Sequence, residues 1–243
     1  LPFGRHLQAQ TTGEADAINL LDSIDNNLLA LVPETATTLG IDRDAHAALR
    51  RQLGDRSPAG AAKLAAVLRA DLARVEAVNT ALLPHATRTS VAVVRSAYRT
   101  ALDGFALPYG DVAVGGWRNT PYVVIQNVGA YLDTPRFLDS DHAINSGDDA
   151  EAYLARLEQM AAQLDGELER LRDAAGKGLI APGFLIDKAL PQLQQSIDNA
   201  RQGGSLAESV ARRTAAAGIA GDWQRRAEVI AREKIAPALQ RQW

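Results

Sequence analysis

Residues 105–145 have the sequence FALPYGDVAVGGWRNTPYVVIQNVGAYLDTPRFLDSDHAIN, which differs in composition from the helical sequence on both sides of it. It holds six of the twelve aromatic side chains in about a sixth of the length, between Ala- and Leu-rich regions that are almost free of them. The glycine pair at 115–116 and the three prolines prevent one continuous helix, while residues 122–125 favour β-structure. We therefore predict an irregular segment at residues 105–145 that carries a short strand or hairpin.

An irregular segment of about forty residues is unusual inside a compact helical domain, and such segments are usually functional. A well-packed wall without chemistry of its own is the alternative that composition leaves open.

The regions that flank this segment have the pattern of amphipathic helices, with apolar residues at three- and four-residue steps. The clearest case starts at Ser146 and Asp149, which have the spacing of a capping box, and ends at Gly176. Residues 1–10 show no such pattern. The sequence therefore predicts a mainly α fold, a multi-helix bundle that forms a single domain over residues 14–243 after a tail at residues 1–13.

Two details of these helices are also predicted. Glu167 falls on the wetter side of the helix that follows Ser146. Pro191 is expected to kink or break the helix that begins at Pro182 and ends at Gly203.

The overall composition excludes several functional classes. With 26 basic and 29 acidic residues the net charge is −3, which gives no electrostatic basis for binding nucleic acid. The chain has no cysteine, so disulfides, thiolate metal sites and a cysteine nucleophile are excluded. No apolar run reaches the roughly eighteen residues of a membrane span. Because Leu1 is not an initiator methionine, we expect that a preceding piece was removed.

Catalytic motifs are not evident from the sequence. No two of the four histidines lie three or four residues apart, so none can share a helix face as zinc ligands. His142 lies within the irregular segment, where we expect an ordinary loop hydrogen bond. No phosphate loop or G-x-S-x-G elbow is present, and a serine- or carboxylate-based hydrolase complete within this chain is the least favoured alternative.

Recognition chemistry is what remains in the irregular segment. A guanidinium, two amides and several rings can bind the backbone or carboxylate of a peptide. The candidate substrate-binding residues are Tyr109, Trp117, Arg118, Asn119, Tyr122, Gln126 and Tyr131.

The same segment resembles a known family. The block PYGDVAVGGWRNTPYVVIQ at residues 108–126 is similar to the N-terminal half of the bacterial family catalogued as domain of unknown function 885. The likeness continues over most of the chain, in residues 33–40, 129–131, 135–140, 149–154, 164–171 and 184–190.

The resemblance implies a helical metallopeptidase-type hydrolase. Members of the family are about twice as long, are often exported and carry an H-E-x-x-H-like zinc motif in their later half, where two histidines hold zinc and the glutamate activates water. This chain ends before that motif, so we expect no zinc ligand or general base here and no activity of the chain alone.

The resemblance thus implies that the chain lines a cleft for a peptide-like substrate, with the C-terminal half of the same protein as its partner. It implies a periplasmic or secreted location, and a cytoplasmic one stays open. A non-catalytic helical binding or scaffold module is the alternative.

Overall fold

The computed structural model describes the backbone of residues 3–115 and 120–243, and the side chains in those ranges from residue 13 onward. The described residues are mainly helical, which confirms the predicted fold class. The helices are α1 (Phe3–Leu29), α2 (Pro33–Thr38), α3 (Pro58–Glu76), α4 (His85–Phe105), α5 (Ala130–Ser140), α6 (Gly147–Gly176), α7 (Gly183–Arg201), α8 (Ser205–Ala216), α9 (Trp223–Ile230) and α10 (Ala236–Gln242). A 3₁₀ helix spans Asp44–Arg51, and a π-helical turn at Ala231–Ile235 joins α9 to α10.

The chain divides into two compact units, which are described separately. Unit 1 contains Leu1–Ala30 and Ala62–Thr120, and unit 2 contains Leu31–Ala61 and Pro121–Trp243. The sequence alone led us to expect one domain over residues 14–243.

Unit 1 is built from α1, most of α3 and α4. Its core contains Ile24, Leu68 and Val91, which are fully buried at the helical spacing that the sequence predicted. The guanidinium of Arg95 donates hydrogen bonds to the carbonyls of Val75, Glu76 and Val78. Because the last carbonyls of a helix have no partner within the helix, Arg95 caps the end of α3.

Unit 2 is organised around α6, which contacts α5, α8, α9 and α10. Ser146 caps α6 by accepting a hydrogen bond from Asp149 N, as the capping-box spacing predicted. The apolar stripe of Tyr153, Leu157 and Leu164 is fully buried in the core of this unit.

The irregular segment differs from its prediction in one respect. Its second half forms helix α5, and β-structure among the described residues of the segment is limited to two isolated bridges, Asp111 with Thr120 and Ile125 with Val128. The valine-rich stretch at residues 122–125 favours a strand, but among the described residues its pairing is limited to the bridge between Ile125 and Val128. A β-propensity of this kind has effect only where a partner strand is available.

Three helix details also differ from expectation. α1 begins at Phe3, so residues expected as a tail include helical ones. α7 runs through Pro191, so the proline does not break the helix, and the kink stays a prediction. The proline removes the hydrogen bond to the carbonyl of Asp187, and because Asp187 is exposed, water can satisfy that carbonyl. Glu167 is only 1% exposed instead of facing solvent.

Candidate ligand-binding site

The predicted substrate-binding residues fall into three groups. Trp117, Arg118 and Asn119 lie outside the described residues. Tyr109 belongs to unit 1, and Tyr122, Gln126 and Tyr131 belong to unit 2.

Tyr109 lies in the loop that follows α4. Its side chain is 42% exposed, and Leu107 beside it is also exposed. Val112 packs so closely against α4 that a Cβ on Gly104 would lie 3.0 Å from its Cγ2 atom. The backbones of Asp111 and Thr120 then pair through hydrogen bonds of 2.8 and 3.3 Å. Tyr109 is therefore presented at the surface by a loop that is anchored on its C-terminal side.

Tyr122 and Gln126 lie in the connection that precedes α5, and Gln126 lies in its tight turn. Ile125 and Val128 exchange backbone hydrogen bonds of 3.0 and 3.2 Å, which places Gln126 in the connection between them. Both predicted side chains are half-buried. The side-chain oxygen of Gln126 is buried and has no hydrogen-bond partner among the described residues. A buried acceptor of this kind costs about 1–3 kcal/mol when it is left unpaired.

Gly129 connects this turn to α5 with a φ of 132°, a conformation that side chains rarely allow. A Cβ at this position would also lie 3.1 Å from the ring of Tyr131 and 3.3 Å from Val124. The close approach fixes the position of the Tyr131 ring relative to the turn.

Tyr131 is 2% exposed, so the structure places it in the core of unit 2. Its hydroxyl lies 2.9 Å from the carbonyl oxygen of Ile125 and 2.8 Å from Oε1 of Gln192. Burial, with smaller contributions from Asp133 and Glu167, raises the pKa of Tyr131 to about 12. The phenol therefore stays protonated at neutral pH and donates its hydrogen bond within the protein.

The first turn of α5 is held by Glu167 of α6. Both carboxylate oxygens of Glu167 lie 2.9 Å from Ala130 N, and Arg56 Nη1 donates to the same carboxylate at 2.8 Å. Burial raises the pKa of Glu167, and the charge of Arg56 opposes that shift. Since Gly129 has no side chain to cap the helix, a carboxylate from another helix takes that role.

A second buried polar cluster in unit 2 contains His142, for which the sequence predicted a loop hydrogen bond. Its ring nitrogens lie 2.9 Å from Arg156 Nη1 and 2.9 Å from the carbonyl of Asp149. Arg156 cannot donate to a protonated ring, so Nδ1 is the acceptor and Nε2 carries the proton. Burial, together with the positive charge of Arg156, lowers the pKa of His142 to about 4.

Arg156 itself is fully buried and donates to the carbonyls of Leu49 and Gln52 and to the hydroxyl of Thr37. These bonds tie α2 and the 3₁₀ helix to α6. The cluster is thus explained by its structural role in unit 2.

A cavity of about 250 Å³ lies between α5, α6, α7, the start of α8 and the π-helical turn. Its floor is apolar and almost completely buried, and is formed by Tyr131, Leu157, Met160, Ala231, Ile235 and Leu239. Its rim contains the exposed polar side chains of Gln195, Asn199 and Ser205. Concave sites with apolar walls and a few polar groups are typical of ligand binding.

The rim of the cavity is ordered by local hydrogen bonds. Asn199 Oδ1 accepts from the backbone nitrogen of Ser205 at 3.0 Å, across the turn at Gly203 and Gly204. Both glycines have positive φ angles, so the turn requires residues without a Cβ.

The π-helical turn supplies part of the opposite wall. Ala236 N donates to the carbonyl of Ala231, five residues earlier, and Pro237 follows directly. A proline in a helix interior clashes with the carbonyl of the preceding turn, and the wider π turn relieves this clash. Such turns occur frequently at functional sites.

Sequence patterns pointed to Tyr131 but not to the rest of this cavity. Leu157 and Met160 have the spacing of ordinary core residues, and nothing local distinguishes a packed stripe from a cavity wall. The signal that was available is the pair of helix-disrupting features at the two sides, the glycines at 203–204 and Pro237.

The described residues that line this cavity include no Asp, Glu, Lys, Arg or His, and the phenol of Tyr131 does not ionise near neutral pH. Among the described residues, no group of three or more His, Cys, Asp and Glu side chains is arranged so that it could hold a metal ion. No helix in the described part of the chain is long and apolar enough to span a membrane.

The fold and the cavity define an all-helical protein with a ligand-sized apolar site. The chain belongs to the family described as "Bacterial protein of unknown function (DUF885)", whose model matches residues 33–243. A comparison with curated proteins gave no match.

A similar fold is seen in the crystal structure of a protein described as "the putative lipoprotein from Colwellia psychrerythraea", with a TM-score of 0.76 and 16% sequence identity. The alignment covers 94% of this chain and 40% of the other, so the chain spans less than half of that protein. At this identity the likeness concerns the fold alone.

Proposed function

We propose that this chain is the N-terminal, substrate-binding portion of a zinc-dependent peptidase or related hydrolase, and that the irregular segment provides one wall of the substrate cleft. Zinc and the general base would be held by the C-terminal half of the same protein. The proposal is supported by membership of the DUF885 family and by the resemblance to members with a zinc motif in their later half.

The observation that carries the proposal is the unpaired oxygen of Gln126. A buried amide oxygen without a partner is unfavourable unless another donor reaches it. In the proposed function, a peptide N–H donates a hydrogen bond to this oxygen. Tyr122 lies four residues earlier and offers a ring for apolar contact.

Arg118 has the second role in this proposal. Its guanidinium would bind the carboxylate or a backbone carbonyl of the peptide through charge-assisted hydrogen bonds. Trp117, Asn119 and Tyr109 are the other candidate residues of the segment.

The alternative, a non-catalytic helical binding or scaffold module, is favoured by one specific observation. The hydroxyl of Tyr131 is bonded within unit 2, so this residue serves packing.

The substitution Arg118→Ala in the full-length protein separates the two functions. Under the proposed function, KM for a peptide substrate rises about tenfold or more, because a charge-assisted hydrogen bond contributes roughly 1.5–3 kcal/mol. Thermal unfolding stays within about 2 °C of wild type. The matched control is Arg69→Ala on the exposed side of α3, which leaves KM unchanged. A lower Tm with an unchanged KM supports the scaffold and contradicts the proposal.

We also propose that the protein is exported. This is supported by the family resemblance and by the similar fold of the Colwellia psychrerythraea protein, whose description reads "putative lipoprotein".

A further inference from the structure

We infer that the cavity of unit 2 is a binding site for an uncharged apolar group of about ten carbon atoms, with a hydrogen-bonding group at one end. This site is distinct from the peptide-binding wall proposed above and does not depend on zinc. The size, the charge and the polarity of the cavity lead to this class of ligand in three steps.

The volume of the cavity sets the size of the ligand. An apolar cavity of about 150 Å³ accommodates benzene, which has six carbon atoms, so roughly 25 Å³ is needed for each carbon. The 250 Å³ of this cavity then corresponds to about ten carbons. A medium-length hydrocarbon chain or a two-ring aromatic group has this size.

The composition of the lining sets the charge of the ligand. Leu157, Met160 and Leu239 are at most 2% exposed, and none of the described lining residues carries a charge that could pair with an ion. Transfer of a charge into such a site without a partner is strongly unfavourable. The part of the ligand inside the cavity is therefore uncharged.

The rim sets the polarity at one end. Gln195 and Ser205 are exposed on one side of the cavity, and the floor opposite them is apolar. An amide and a hydroxyl can both donate and accept hydrogen bonds, so they suit a neutral hydroxyl, amide or ester group. The ligand is thus oriented with its polar end towards α7 and α8.

Linear primary alcohols from butanol to dodecanol test this inference, with binding to the 243-residue chain measured by calorimetry in the absence of zinc. Each added methylene is expected to tighten binding about fourfold, since a buried methylene contributes about 0.8 kcal/mol. The gain stops at about ten carbons, where the cavity is full. Alcohols that fail to bind, or an affinity that rises without a plateau as on an open surface, would overturn the inference.

Two substitutions in the lining are expected to change, in opposite directions, the alcohol length at which the affinity stops rising, which is the plateau of the series. Ala231→Leu adds three carbons to the wall, so the plateau shifts to about seven carbons and decanol binds at least tenfold more weakly. Met160→Ala removes three heavy atoms and extends the plateau by about the same amount. The control Ala216→Leu, at an exposed position of α8, leaves the series unchanged.

If Ala231→Leu does not fold, the Met160→Ala series decides the question alone. A plateau at the same length in that variant and in wild type contradicts the inference.

A capped amino acid identifies the source of the ligand. The alcohols represent a free lipid-like molecule, and N-acetyl-tryptophanamide represents a bulky side chain of a peptide. Once the alcohols bind with the expected plateau, the probe that binds more tightly assigns the source of the ligand. Because no zinc or cleavage is involved, failure of this site leaves the proposed peptidase function untouched.

Discussion

At the scale of single residues, buried ionisable side chains contribute to the stability of unit 2. His142 and Arg156 are both fully buried, and their hydrogen-bond partners among the described residues include no carboxylate. Their hydrogen bonds are consistent only with a neutral imidazole. Stability must therefore depend on pH in the range where a free histidine titrates.

The free energy of unfolding is expected to decrease as the pH falls from about 6.5 to about 4. The pKa of His142 is about 4 in the folded protein against 6.5 for the free side chain, so the unfolded chain binds more protons in this window. A pKa shift of this size corresponds to a decrease of about 3 kcal/mol in the free energy of unfolding. Urea unfolding at pH values between 7.5 and 4 measures this decrease.

Carboxylates also titrate in this pH range. The contribution of His142 is therefore the difference in the pH dependence of the unfolding free energy between wild type and His142→Asn. The variant should show the weaker pH dependence of the two. His85→Asn, at an exposed position, serves as the control and should retain the wild-type slope. Equal slopes for wild type and His142→Asn would show that this histidine is not buried in its neutral form.

Glu167 is the second residue whose loss has a predictable cost. Glu167→Ala leaves the N–H of Ala130 and the charge of Arg56 without their main partner. We expect a loss of about 2–3 kcal/mol in unfolding free energy, less than for a fully buried pair because the Arg56 side chain is 28% exposed. Chemical denaturation measures the loss. Glu169→Ala, at an exposed position of the same helix, should change stability by less than about 0.5 kcal/mol.

At the scale of elements, α5 shows which parts of the fold follow from local sequence. The starts of α3 and α6 were predicted because Ser57, Pro58 and Ser146 act on residues within the next turn. The start of α5 was not predicted, because the acceptor for Ala130 N comes from Glu167, 37 residues away in sequence. Pattern reasoning has no access to such a contact.

Substitution of Gly129 tests whether the start of α5 requires a residue without a side chain. Gly129→Ala forces a side chain into a φ of 132° and towards Tyr131, and strain of this kind costs about 1–3 kcal/mol. The expected result is a lower Tm.

Gly13→Ala is a control for that experiment, with a change in stability expected in the opposite direction. Gly13 lies within α1, and a Cβ there meets nothing within 4 Å, so alanine should raise stability by about 0.5–1 kcal/mol. If Gly129→Ala is as stable as wild type, the description of this turn is wrong.

For the candidate sites too, what can be predicted from the sequence depends on whether the contacts are local or distant. Gln126 and Tyr131 were singled out because the aromatic segment is unusual in composition. The sequence could not show that the hydroxyl of Tyr131 bonds to Gln192, or that its ring borders a cavity, since both facts depend on α7. When a site is formed by several helices, the sequence of any one helix contains only a weak signal of that site.

At the scale of the whole molecule, the chain consists of two helical units that match less than half of a related fold. The family resemblance extends through both units, from residue 33 to residue 243. In the proposed function these units bind the substrate, and the metal chemistry takes place on the remainder of the protein.

Zinc-dependent cleavage of a peptide mixture by the full-length protein tests this claim most directly. We predict cleavage with zinc bound, loss of cleavage after chelation and its return when zinc is added back. Product masses identify the scissile bonds. A protein that is fully loaded with zinc and cleaves no peptide would contradict the account.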